Sequence, residues 1–236
     1  MSEYNTYTNN NELTFNEYIV KVSSIMTVGL GITTIVAFLV SHFFTALSNT
    51  MGAAFLIAII VAAVAEIIIA IVLGTSLTKL SKRTAWILYI VYSVLTGVSL
   101  SGIFMQYTTG SVWLCFGVTA IMFASMALIG HNTKVDMTKF SGLIRPGLIA
   151  LIVATILNAL IFRNDFISWI ITYVGIVMFL GLIAYDMQML RNYYNAGFND
   201  SEMAEKLMIM GAFQLYLDFI NLFIRILRLF GKRNSD

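Results

Sequence analysis

The chain has 236 residues, 59% of them hydrophobic and 11% charged, with a formal net charge of +2. Soluble domains carry about 25% charged residues, so the composition excludes an ordinary soluble globule, and the net charge is too small to suggest a nucleic-acid surface. One proline among sixteen glycines suits helices better than a loop-rich fold, and a lone cysteine, Cys115, excludes an intrachain disulfide.

In chain order, residues 1–22 are polar and acidic and are expected to form a flexible N-terminal tail. They show neither the basic flank nor the small-residue cleavage site of a signal peptide. Seven apolar runs follow, at 23–46, 52–74, 85–107, 112–130, 146–163, 167–189 and 206–230. Each approaches the roughly 20 residues that a helix needs to cross a bilayer. Ser48–Met51, Tyr107–Ser111 and Arg163–Phe166 are short and predict tight hairpins. Thr75–Thr84, His131–Arg145 and Leu190–Lys206 are longer and polar. The expected fold is all-α and integral to the membrane. It has a transmembrane domain over 23–231, three helical hairpins around a seventh helix, and a short tail at 232–236.

The longer loops hold Lys79, Lys82, Arg83, Lys134, Lys139, Arg145, Arg191 and Lys206, whereas the short ones hold only Arg163. The positive-inside rule then puts the longer loops and the N-terminus in the cytoplasm. With seven spans the C-terminus lies outside, although Arg225, Arg228, Lys232 and Arg233 crowd that end. A last helix shielded by the bundle accounts for this, and so does a re-entrant segment that returns the tail to the cytoplasm. A full span is the preferred reading.

Polar residues inside the runs are the candidate functional groups. An ionised Asp at the centre of a membrane helix costs about 2.5–3.5 kcal/mol on insertion scales. Asp218 stands in Leu215-Tyr216-Leu217-Asp218-Phe219-Ile220-Asn221-Leu222-Phe223. Gln214, Asp218, Asn221, Arg225 and Arg228 follow at spacings of four, three, four and three, which puts them in one stripe of an otherwise apolar helix. Such a stripe faces protein or water rather than lipid, so the last helix is expected at the centre. For Gln214 and Asn221 the plainer reading is interhelical glue.

Asp186, in Gly181-Leu182-Ile183-Ala184-Tyr185-Asp186-Met187-Gln188, either snorkels to the inner surface near Arg191 or points inward toward Asp218. In the second case the two carboxyls share one proton, because both cannot ionise cheaply in a low dielectric. The pair is then a pH sensor. It is also a transient calcium site, with Tyr185, Asn221 or backbone oxygens supplying further ligands. Glu66 is a third intramembrane acid, read as pathway lining or as a protonated residue bonded across helices. Tyr89, Tyr92, Ser93, Thr96, Ser99 and Ser101 make the third run hydroxyl-rich, which close packing explains as well as a pathway does. Asn158 and His42 are expected to be structural. His42 and His131 lack metal-ligand spacing, which argues against zinc.

Several activities fail on inspection. A retinal protein needs a lysine within a helix core, and every lysine here lies at a loop or terminus. An intramembrane aspartyl protease needs Gly-x-Gly-Asp and a later Pro-Ala-Leu, whereas Asp218 follows Leu215-Tyr216-Leu217 and the only proline is Pro146. No Walker loop or nucleophile elbow is present, so no enzyme and no cofactor is expected.

The segments Gly181–Gln188, Leu215–Phe223 and Leu227-Arg228-Leu229-Phe230-Gly231, with Thr96-Gly97-Val98-Ser99-Leu100-Ser101, resemble the hallmark segments of the Bax-inhibitor family, and the chain is similar to its bacterial-type members. The resemblance implies seven helices with the last at the centre. It also implies a calcium-permeable leak controlled by pH through a paired aspartate, at the positions of Asp186 and Asp218. Some bacterial members latch one of these acids with an Arg at the inner end of the second helix. This chain has none between Glu66 and Lys82, and Lys79 is the nearest substitute.

The leading expectation is therefore a pH-sensitive calcium or cation leak in a bacterial inner membrane. Asp186 and Asp218 would gate it, and Glu66, Lys79, Tyr185, Gln214, Asn221 and Arg225 would support the pathway. Its partners would be the bilayer and calcium. One alternative is a non-transporting protein that regulates a membrane protease or a stress response through a membrane-protein partner. Another is a proton-coupled cation exchanger.

Overall fold

The structure, a computed structural model, describes residues 13–197 and 200–234, without the side chains of 45–53, 78 and 145. Its seven candidate spans are Phe15–Phe44, Ala54–Ser76, Lys82–Phe104, Thr109–Asn132, Met137–Phe162, Asp165–Ala196 and Ser201–Phe230. They are called the first to the seventh span below.

The first span starts earlier than composition suggests. Thr14 and Glu17 form a reciprocal capping box, with Glu17 N–H donating to Thr14 Oγ1 at 3.3 Å and Thr14 N–H to Glu17 Oε2 at 2.7 Å. Residues 15–22 of the expected tail are therefore helical, while 1–12 lie outside the described residues.

Helical backbone runs on from Phe15 to Ser76, 62 residues, which would measure about 93 Å if straight. It is not straight. The Phe44 and Phe55 rings stack with centroids 3.8 Å apart. Ile25 and Thr33 meet Tyr89 and Ser93 of the third span in ascending order. Ile59 and Glu66 meet it in descending order, at Gly102 and at Ser99 and Thr96. The chain thus reverses between the first two spans, as the hairpin at Ser48–Met51 requires, without losing helical backbone.

Of the loops read as long, Leu190–Lys206 is mostly helix. The sixth span runs to Ala196 and the seventh begins at Ser201, where Asp200 accepts from the N–H groups of Glu202 and Met203. Polar residues here extend the helices beyond the hydrocarbon, so the end of an apolar run does not mark the end of a helix. The fifth span combines a 3-10 turn (Met137–Phe140), an α-helix (Ser141–Leu157) that contains Pro146, and a π-turn (Asn158–Phe162). Asn158 closes the following hairpin by exchanging bonds with the Asn164 backbone at 3.2 Å in both directions. That is the structural role expected of it.

The seventh span is the centre of the bundle. Its apolar window is 61% buried, against 11–39% in the other six. Phe213 and Tyr216 meet Tyr89 and Tyr92 edge to face. Phe219 and Phe223 meet Phe116 in the same way. Each such pair contributes about 0.5–1.5 kcal/mol beyond area burial. Cys115 is a small core residue beside this helix, its thiol 4.0 Å from the Ile226 carbonyl.

The helix is unbroken from Ser201 to Phe230, and its tail ends on the face of the short connections. Thr108 N–H donates to the Lys232 carbonyl at 2.9 Å and Asn234 N–H to that of Gln106 at 3.0 Å. The opposite face gathers the N-terminal end of the first span. There Phe15 stacks on His131 and lies beneath Arg191, and Tyr194 donates to the Leu13 carbonyl.

Candidate gating site between the sixth and seventh spans

The polar stripe of the seventh span faces the sixth. The two run antiparallel, so register fixes the pairings: Gly211 against Leu190, Asp218 against Asp186, Arg225 against Gly175. Asp186 is 6% exposed and Asp218 2%. Their carboxyl groups lie close enough to interact across the two spans. Carboxylates only accept, so a hydrogen bond between the two acids would require one proton between them. The structure chooses the inward orientation for Asp186. Arg191, its snorkelling partner in the other reading, lies over the Phe15 ring with Cζ 4.9 Å from the centroid.

Little else serves the pair. Asp218 Oδ2 is buried and has no donor among the described residues. Buried polar atoms without a partner cost free energy, so a proton on the pair answers a need that the surroundings leave open. Tyr185 is buried but makes no hydrogen bond to either acid, since successive helix residues diverge by 100°. Asn221 Nδ2 is spent on its own helix, donating to the Leu217 carbonyl at 2.8 Å. Gln214 Oε1 is buried without a donor. No cluster of three acidic, His or Cys side chains occurs among the described residues. A cation here would have the two carboxyls and would draw its other ligands from backbone or water.

Lys79 does not latch this site. It is exposed in the turn Leu77–Lys79 and makes no ion pair with either Asp. Among the described residues the buried basic ones are Lys206, which pairs with Glu202 at 3.0 Å, and Arg225. Composition places Lys206 in a loop, whereas the structure buries it within the helix Ser201–Phe230. Its signal was the Glu202–Lys206 spacing of four on a helix.

Glu66 belongs to a different face of the bundle. Half-buried, it accepts from Ser99 Oγ at 2.5 Å and Thr96 Oγ1 at 3.3 Å. It therefore ties the second span to the third rather than joining the Asp pair.

A cavity lies near Asp186, although Asp186 itself does not line it. This cavity, of about 230 Å³ on the long-connection face, reaches Met187 and Gln188 and is bordered by His131, Lys134, Asp136 and Arg191. Gln188 holds its wall by accepting from Met137 N–H and donating to the Val135 carbonyl, both at 2.8 Å.

The sequence matches the family described as inhibitor of apoptosis-promoting Bax1 over residues 15–235. The inner membrane protein YbhL of Escherichia coli strain K12 is 38% identical over 218 residues, 92% of each chain. An uncharacterised protein of Borreliella burgdorferi is 36% identical over 225 residues, 94% of each chain. A membrane protein of Streptococcus pyogenes serotype M1 is 31% identical over 242 residues, 99% of this chain and 100% of the relative.

Proposed function

Since the chain belongs to the Bax inhibitor family of multi-pass membrane proteins, we propose that it is a pH-gated cation leak with calcium as its ion. One observation supports this reading above others: two buried carboxyls from adjoining candidate spans lie close together, and Asp218 Oδ2 has no hydrogen-bond partner among the described residues. With one proton shared, the pair pins the sixth span to the seventh. Without it, two unit charges about 4 Å apart repel by about 4 kcal/mol at an effective dielectric of 20. That exceeds the roughly 0.6–1.7 kcal/mol of a typical interhelical hydrogen bond. The spans then part, or a cation enters to neutralise the charge.

A divalent ion with a preference for oxygen ligands relieves two carboxylates best. Two acids alone hold calcium weakly, which suits passage rather than storage. We orient the basic long-connection face to the cytoplasm by the positive-inside rule. The inner membrane is the proposed location, in line with the name of the E. coli relative.

The test is calcium entry into liposomes containing the purified chain, measured from acid to alkaline pH. Entry should exceed that of empty vesicles and rise with pH. Equal entry with and without protein at every pH would overturn the proposal.

A further inference from the structure

Arg225 is 8% exposed, within a membrane span, and has no acid. Among the described residues no carboxylate lies within 4.0 Å of it. Its Nη1 donates to the Ile171 carbonyl at 3.2 Å, its Cζ lies 5.2 Å from the Phe179 ring centroid, and its Nε is buried without an acceptor. The seat is shaped for it. A Cβ at position 175 would fall 2.4 Å from the guanidinium carbon, so any larger residue there would push the guanidinium from this seat. An uncompensated buried charge is costly, and an apolar side chain of similar volume is often neutral or stabilising in its place. The fold therefore carries a charge that packing does not need.

The position of that charge suggests its task. Arg225 lies seven residues beyond Asp218, about 10.5 Å along the helix toward the short-connection face. It shares the stripe with Asp218 and faces the same neighbouring span. Any ion that moves between that face and the carboxyl pair along this seam passes the guanidinium.

We infer that Arg225, seated on Gly175, is the electrostatic barrier of the pathway: it limits cation flux and discriminates against higher charge. This rests on the proposed leak and adds a second control to it, independent of the proton on the acids. The barrier that a fixed charge raises is proportional to the charge of the passing ion. Removing it should therefore accelerate a divalent cation by about the square of the factor for a monovalent one.

Arg225→Met, Arg225→Gln and Arg225→Lys in the full chain, reconstituted at equal density, test this at alkaline pH with calcium and potassium fluxes measured separately. Arg225→Met fills the seat without charge, and Arg225→Gln is the second neutral variant should the first fail to fold. Both should raise potassium flux about threefold and calcium flux about tenfold, whereas Arg225→Lys should stay within twofold of wild type. A wild type that leaks with pH dependence while neutral variants leave both fluxes unchanged, or raise both by one factor, overturns the barrier alone. A wild type that passes no ion above empty vesicles overturns the leak, and the barrier with it.

Discussion

Tyr216 Oη and Thr33 Oγ1 lie 2.6 Å apart in the core, and the proton between them comes from the tyrosine. Thr33 has already committed its own hydroxyl to the Ser93 carbonyl at 2.8 Å, so it can only accept. The seventh span is thus tied to the first and third through Tyr216, two residues before Asp218 and about 200° around the helix. One face of the central helix is anchored by neutral hydroxyls, and the other carries the carboxyl pair. In the proposed leak, repulsion between the acids would therefore act on the sixth span against an anchored seventh.

Tyr216→Phe should then weaken the bundle and leave the gate intact. Interhelical hydrogen bonds in membranes contribute about 0.6 kcal/mol on average and up to about 1.7. A loss of that size is expected in thermal unfolding in detergent, with the pH dependence of calcium entry unchanged. A changed pH dependence would show that the hydroxyl anchor belongs to the gate.

Asp218→Asn tests the pair directly. An amide donates an N–H to Asp186 permanently, so it replaces the shared proton and cannot lose it. In the proposed leak, raising the pH removes the proton from the wild-type pair and opens the pathway. The variant should stay closed, with calcium entry low and flat across the range. Entry that still climbs with pH as in the wild type would remove the pair from the mechanism.

How far these features could be read from residues alone depended on what each needs. Seven spans follow from run length, since every run is near bilayer thickness. The centrality of the last helix follows from a stripe that cannot face lipid. Asp186 could be narrowed to two orientations, because periodicity shows a face and not its neighbour. The Thr33–Tyr216 bond joins residues 183 apart and leaves no local signature. Arg225 read as one member of the stripe, and its isolation emerged only when Gly175 and Ile171 proved to be what it faces. Lys79 is only the nearest basic residue in sequence to the latch position, and the turn that carries it leaves it exposed.

Gly130→Ala should loosen the gate without touching an acid. A Cβ on Gly130 would fall 2.5 Å from the Ala184 carbonyl oxygen, a backbone atom that cannot swing aside. The fourth and sixth spans must separate there, two residues from Asp186. Overpacking of this kind costs about 1–3 kcal/mol. The melting temperature should fall, and calcium entry at acid pH should rise toward its alkaline level. A variant that melts lower but stays shut at acid pH would show that this contact supports the fold alone.

The turn beside the cavity offers a titration that should be separable from the gate. The Thr138 hydroxyl, helped by Thr138 N–H at 3.0 Å, holds the Asp136 carboxyl below its ordinary value. A depressed carboxyl stabilises the fold above its unfolded value, and that contribution fades as pH falls through the lowered one. The turn should therefore hold at mildly acid pH and loosen only in stronger acid. Because Gln188 fastens the same turn to the sixth span, this loosening frees the cavity wall next to Asp186. Thr138→Val should move the Asp136 carboxyl titration, followed by carbon NMR, upward toward the ordinary carboxylate range. The alkaline rise in calcium entry should not move. If it moves with Asp136, the pH sensor includes the turn, and the buried pair is not the sole group that reads the proton.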